Sequence, residues 1–419
     1  MNRPELSPAD TGFSASLQLL LTRRFGTFWF ASLLSNIGTW AQQVAQPWLL
    51  LSLGASSVLI GLDSFAMNAP VWLLTLAGGL LADRADRRRV IAGFQSAQML
   101  CPVLIVGLLL SGTLKPWMVV MLSLVVGITD ALSMPSFSSI VPTIVRRDQI
   151  GTGLALNSTQ FNLSRIAGPA LAGVLMAGVG AVGCFVVSAL SYLPFIGVAV
   201  WILPGRTDSA LPPPPGGRPH VFSGLHVITR QPQMRGALFT TFFSGLFCGP
   251  LITFCPVLVR DAFHGDASRF SAAVGAFGVG GLCGAIALLR VDPRRDRRPL
   301  ASWCAMGLAL ALIAIAVTPQ YWTMVAMLVV GGAVMSAANT SANTVLQSAA
   351  SAGIRGQAVS LYMLAMRGGG ALGSLLTGFS THLLGVRIAL LINGALALLV
   401  QAFIQRDWLR NSGAAHNAA

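Results

Sequence analysis

Gly78-Gly79-Leu80-Leu81-Ala82-Asp83-Arg84-Ala85-Asp86-Arg87-Arg88-Arg89 is a short basic break between two long apolar runs. The run before it covers residues 57–81, and the run after it covers 90–111. About 20 apolar residues suffice to cross a bilayer. Each run therefore reads as a membrane span, with the break as the turn between them. Gly78 and Gly79 let a second helix approach closely. Asp83 sits at a helix end, and Arg84, Arg87 and Arg88 make that end strongly cationic.

The same alternation continues along the whole 419-residue chain. Further spans fall near 27–52, 116–140, 152–178, 181–203, 236–259, 270–290, 299–318, 320–346, 356–383 and 386–405, which predicts twelve in all. Composition agrees: 54% of residues are hydrophobic and only 10% charged, with a mean hydropathy of +0.72. Soluble chains carry about 25% charged residues, so a water-soluble enzyme and a disordered chain are both excluded. The net charge of +14 does not point to nucleic acid, because the cations cluster between the spans.

Those cations set the orientation. Lys115, Arg260, Arg269 and Arg387 fall on one side, and Arg165 and Arg367 lie inside spans. The rest of the 27 Lys+Arg fall on the other side, which the positive-inside rule makes cytoplasmic. An even number of spans then puts both termini there. The longest hydrophilic segment holds Pro212, Pro213, Pro214 and Pro215, a stiff spacer. After it, Val221–Arg235 reads as a short surface helix. The expected division is a tail at 1–24, a bundle at 25–204, a loop at 205–235, a second bundle at 236–405 and a tail at 406–419. Val125-Val126-Gly127 recurs as Val329-Val330-Gly331, and Gly168-Pro169-Ala170-Leu171 is echoed by Gly369-Gly370-Ala371-Leu372. The expected fold class is thus an all-α integral membrane protein, two pseudo-symmetric six-helix bundles around a central cavity.

The break at Gly78–Arg89 resembles the signature G-x-L-A-D-R-x-G-R-R/K of the major facilitator superfamily. Gly79, Leu81, Ala82, Asp83, Arg84, Arg87 and Arg88 match it, and Asp86 stands where the family has glycine. The resemblance implies that this loop latches the two halves together on the cytoplasmic side, and that helices 1, 4, 7 and 10 surround the cavity. Ile37-Gly38-Thr39-Trp40-Ala41-Gln42, Trp48-Leu49, and Asn157, Asn162, Arg165 and Gly168-Pro169 are similar to the branch of enterobactin exporters and macrolide efflux proteins.

Polar residues inside spans are costly and mark packing or function. Ser35, Thr39, Gln42 and Gln46 share one helix face in span 1, and Ser336, Thr340, Asn343 and Gln347 repeat that spacing in span 10. Both stripes are substrate-facing candidates, with interhelical hydrogen bonding as the alternative. Trp40 belongs to the same candidate cavity wall. Asp130 and Arg165 come at similar depth on antiparallel neighbours, so they are expected to pair; the alternative is that Asp130 meets the arginines near Asp83. Asp63 reaches either water or the cavity, where a proton or a cationic group would suit it. Arg367, before Gly368-Gly369-Gly370, meets an anionic group or Asp83. Gly168, Pro169, Gly369 and Gly370 are candidates for close helix packing.

Enzymatic signals are missing. The six Cys lie in apolar runs without metal spacing, the five His are scattered, and no Walker-type phosphate loop exists. No cofactor or metal is expected. The expectation is a secondary transporter in the bacterial inner membrane, acting as a monomer on a small amphipathic molecule of drug or siderophore class. The resemblance implies export by proton antiport. An importer of the same fold is the alternative, as is a lipid flippase or a transport-inactive membrane protein.

Overall fold

The computed structural model describes residues 16–74, 77–78, 86–203, 231–292, 296–350 and 355–416. Every regular element among them is helical. A backbone in hydrocarbon must satisfy its own hydrogen bonds, and long apolar runs do so by coiling. The first set is α1 (Arg23–Ser52), α2 (Ser57–Asn68), α3 (Arg87–Leu110), α4 (Pro116–Ile144), α5 (Ile150–Gly178) and α6 (Gly180–Trp201). The second is α7 (Pro232–Cys248), α8 (Pro250–Val257) with a π turn at Leu258–Ala262, α9 (Ala267–Leu289), α10 (Arg298–Val317), α11 (Tyr321–Ala349), α12 (Arg355–Leu384) and α13 (Val386–His416).

Ten helices among the described residues are long and apolar enough to cross a membrane. Neither α1 nor α5 is among them, although they run for 30 and 29 residues. Length is not what excludes them. Polar residues lower their hydropathy, Gln42, Gln43 and Gln46 in α1 and Asn157, Gln160, Asn162 and Arg165 in α5. Span 7 was expected as one helix. It breaks at Gly249-Pro250, where proline cannot donate to the helix ladder, and resumes as α8. Pro232–Arg235, expected in a surface helix, instead forms the first turn of α7. The rest of that expected helix lies outside the described residues. Helix α13 also passes the expected stop at 405 and continues to His416. Trp408 anchors the extension: its indole N–H donates to the Pro232 carbonyl at 3.2 Å.

Tight turns join the helices on one face. Gly54 between α1 and α2 has φ +79°, and Gly385 between α12 and α13 has φ +83°. Both adopt the left-handed conformation that costs glycine nothing. On the opposite face Asp86, the departure from the superfamily motif, is the N-cap of α3: its carboxylate accepts the Arg88 N–H at 3.0 Å. The side chain thus does the helix-starting work at that position.

Within each set the helices pack mainly on one another, α1 on α5 and α6, α9 on α11, α10 on α13. The sets meet along two seams, α2 against α12 and α5 against α9, with α8 also touching α1. Small residues make both seams. A Cβ on Gly173 would lie 2.7 Å from Gly275 Cα, and one on Gly61 would lie 2.5 Å from the Ser374 carbonyl oxygen. Lipid tails give apolar helices no reason to prefer one another, so such close backbone approach is a main source of association. Trp48 of α1 and Phe270 of α9 stack at 5.0 Å, extending a dry core across both sets at the face of the tight turns.

Gly173→Val is expected to cost about 1–3 kcal/mol by forcing the α5–α9 seam apart, read as a lower Tm in detergent. Gly370→Ala is the control. Its Cβ would meet nothing within 4 Å, so Tm should hold or rise slightly.

Candidate functional site

The main cavity lies between the bundles, toward the face from which α1, α3, α5 and α12 start. It encloses ≈ 1390 Å³, counting the part open to solvent. Helix α1 supplies Ser35, Thr39 and Trp40, α4 supplies Asp130, α6 supplies Tyr192, and α12 supplies Met363 and Arg367. Sequence reasoning missed much of the polar lining: Ser32, Asn36 and Gln43 on α1, Gln95 and Gln98 on α3, and Gln160 on α5. Ser32, Asn36 and Gln43 form a second stripe at helical spacing beside the expected one. Both stripes put residues on the cavity wall.

The expected stripes split along their length. Ser35 and Thr39 line the main cavity, and Thr39 also bonds the Ser35 carbonyl and the Tyr192 hydroxyl at 2.9 and 3.1 Å. Gln42 and Gln46 are buried instead, because α2 and α4 close over them. Ser336 and Thr340 line a second, smaller cavity. Asn343 and Gln347 bond each other at 3.0 Å. In each stripe, then, two residues face open space and two make hydrogen bonds along their own helix.

Asp63 does not reach water: it is 4% exposed. Its carboxylate accepts hydrogen bonds from the Gln46 amide at 2.7 Å and the Ser123 hydroxyl at 2.6 Å. Gln46 also donates to Ser123 Oγ at 2.7 Å and accepts from Gln42 at 3.4 Å. One carboxylate thereby ties α1, α2 and α4 together. Donors on α1 and α4 close the network around the acceptor on α2, as a buried carboxyl group requires.

Asp130 pairs with Arg367, across the two bundles, and not with Arg165. Depth counted along a helix leaves azimuth open, and azimuth decides the partner. Arg165 instead lies over the Trp40 ring, 5.6 Å from its centroid. Both partners of the Asp130–Arg367 pair line the main cavity. Their side chains are 30% and 21% exposed, so the pair is reachable from the cavity.

The packing candidates also separate. A Cβ on Gly168 would collide with Trp40 at 2.3 Å, and one on Gly369 would lie 2.2 Å from the Phe242 carbonyl oxygen. Gly370 has open space around it. Pro169 lines the second cavity. In the basic loop, Gly79, Asp83 and Arg84 lie outside the described residues, as does the Arg87 side chain. Gly78, next to them, packs its Cα on the α4 backbone at Ala131 and Leu132. The Arg88 guanidinium donates to the Val200 carbonyl at 3.3 Å, tying the start of α3 to the end of α6.

Two helical bundles, small-residue seams and a polar cavity between them are the architecture that the sequence resemblance implies. The transmembrane secretion effector family model matches residues 14–419. The chain belongs to that family, and with it to the major facilitator superfamily of membrane transporters. It is 28% identical to the staphyloferrin A transporter of Staphylococcus aureus, over 63% of this chain and 66% of that one. It is 26% identical to the multidrug efflux pump Tap of Mycobacterium tuberculosis, over 88% of this chain and 89% of the pump. Among solved structures, the nucleoside transporter NupG superposes with a TM-score of 0.69 at 12% identity, covering 92% of this chain and 99% of NupG. That last likeness concerns the fold alone.

Asp63→Asn is expected to set an amide N–H₂ against the groups that now donate to the carboxylate. One donor then goes unsatisfied, at a cost of about 1–3 kcal/mol. A thermal melt in detergent should show a lower Tm; an unchanged Tm would remove Asp63 from the packing of α1, α2 and α4.

Proposed function

We propose that the protein exports a small amphipathic molecule, of drug or siderophore class, across the bacterial inner membrane by proton antiport. The observation that carries this reading is the main cavity, walled from both bundles and crossed by the Asp130–Arg367 pair. Such a pair lets cargo or a proton entering the cavity act on both bundles at once. Mixed amide, hydroxyl and aromatic lining suits an amphipathic cargo better than a sugar, which calls for denser polar contacts. One relative is named a multidrug efflux pump and another a staphyloferrin A transporter, which supports export and this cargo class.

In this reading α1 and α5 cross the membrane with the ten more apolar helices, completing twelve spans. The basic face is cytoplasmic, and with it the tails at 1–24 and 406–419 and the loop at 205–235. The state described then opens toward the cytoplasm, where exported cargo loads, and the dry core around Trp48 and Phe270 closes the outer side. Asp130 is held by Arg367 in this state. After the bundles rock, a proton arriving from outside neutralises Asp130 and releases Arg367 as cargo leaves. Returning that proton to the cytoplasm re-forms the pair. Gly79, Asp83, Arg84, Arg87 and Arg88 serve as the cytoplasmic latch that holds the opposite, outward-open state.

Inverted membrane vesicles with an inside-acid gradient test this directly. Uptake of at least one siderophore, macrolide or lipophilic cation should follow the gradient and stop when it is collapsed. Gradient-independent accumulation would exclude antiport. Asp130→Asn should flatten the pH dependence of uptake; an unaltered profile removes Asp130 from coupling. Asp83→Asn should cut uptake severalfold without loss of inserted protein, and full activity would contradict the latch.

A further inference from the structure

Arg165 is the second arginine inside a span, and among the described residues no carboxylate lies within ion-pair distance of it. Its contacts are neutral: the Trp40 ring at 5.6 Å and the hydroxyl of Tyr362 within hydrogen-bonding reach. Tyr362 itself donates to the Asn339 carbonyl at 3.1 Å, so its oxygen is free to accept from Arg165. A ring face and one hydroxyl compensate a guanidinium only in part, and an uncompensated charge at membrane depth is retained for a reason.

A second cavity, ≈ 440 Å³ counting the part open to solvent, lies beside it, between α5 of one bundle and α9 and α11 of the other. Gly278 packs on Ala170 and Gly332 on Phe277, drawing α5, α9 and α11 together around it, and Phe277 and Met335 supply apolar wall. Arg165 and Asn162 line it from α5, and Ser336 faces them from α11. Ser336 Oγ is buried there without a hydrogen-bond partner. A hydroxyl without a partner and a cation without a carboxylate beside it thus share one small cavity from opposite bundles. Arginine can only donate, and a serine hydroxyl donates readily, so the missing group is an acceptor that carries negative charge.

We propose that Arg165 and Ser336 form a subsite for the acidic group of the transported molecule, a carboxylate or an acidic phenol, with its apolar part against Phe277 and Met335. The cargo is then an organic anion, which deepens the export reading by naming its charge. An anion held from both sides would join the bundles along the α5–α9 seam, while the Asp130–Arg367 pair joins them beside the α2–α12 seam.

Equilibrium dialysis with the purified full-length protein in nanodiscs of zwitterionic lipid tests the subsite without any transport. The probes are ibuprofen, its neutral primary amide and tetraphenylphosphonium. The native protein should bind ibuprofen about tenfold tighter than the amide, the scale of one charge-assisted contact. Arg165→Gln should erase that preference, Arg165→Lys should keep part of it, and Ser336→Ala should weaken the acid severalfold with little effect on the amide. Melting temperatures near native show that each variant is folded, and the lysine variant keeps the test informative where glutamine misfolds. Equal binding of acid and amide, preference for tetraphenylphosphonium, failure to bind the acid, or a preference that survives Arg165→Gln overturns the proposal. Loss of ibuprofen binding on adding phosphatidylglycerol would assign the subsite to a lipid headgroup and overturn it as well. Because binding is read without a gradient, failed proton-driven uptake in vesicles would leave this result standing, and the reverse also holds.

Discussion

A carboxylate and a guanidinium persist inside a bilayer only while something answers their charge. Asp130 and Arg367 answer each other, and they do so from different bundles. The rest of the architecture makes that contact possible. Glycines at Gly61 and Gly173 bring the bundles within backbone distance along two seams. The stacked Trp48 and Phe270 close one side of the interface without water. Between the seams the helices diverge, and the space they leave holds the pair.

The remaining polar groups sort by whether the fold has already satisfied them. Asp63 accepts from Gln46 and Ser123 and is sealed. Gln401 binds Thr240 and Ser302, both at 3.2 Å, and joins α13 to α7 and α10 in the same manner. These networks stabilise one bundle each and have little to offer a ligand. Ser188 and Ser341 Oγ are also buried without a partner, but Ser336 shares its cavity with Arg165, which has no carboxylate beside it among the described residues. The contrast separates scaffold from site more sharply than burial does, because both kinds of residue are largely enclosed.

Much of the fold was legible from periodic hydropathy, because a bilayer imposes length and backbone satisfaction on every span. The turns at Gly54 and Gly385 have a local cause, the positive φ that glycine adopts freely. The site was legible only in part. Depth along a helix can be counted from a sequence, so Asp130 and Arg165 were placed in the same layer. Azimuth and partner choice depend on how helices from both bundles are arranged around the cavity, so the true partner, Arg367, lies 237 residues away. The α1 stripe shows the same limit. Ser35 and Gln46 share a face, yet the surroundings of that face change from cavity to packed helices within three turns. Gln43, one residue beyond Gln42, lines the cavity that Gln42 misses.

The claim on which the account turns is that Asp130 and Arg367 act as one unit between the bundles. The most direct measurement is gradient-driven uptake by vesicles carrying Asp130→Arg, Arg367→Asp, or both substitutions together. The account predicts that each single exchange abolishes uptake by setting like charges against each other, and that the double exchange recovers a measurable part of it. Native activity in either single exchange, or a double no better than the singles, would contradict it.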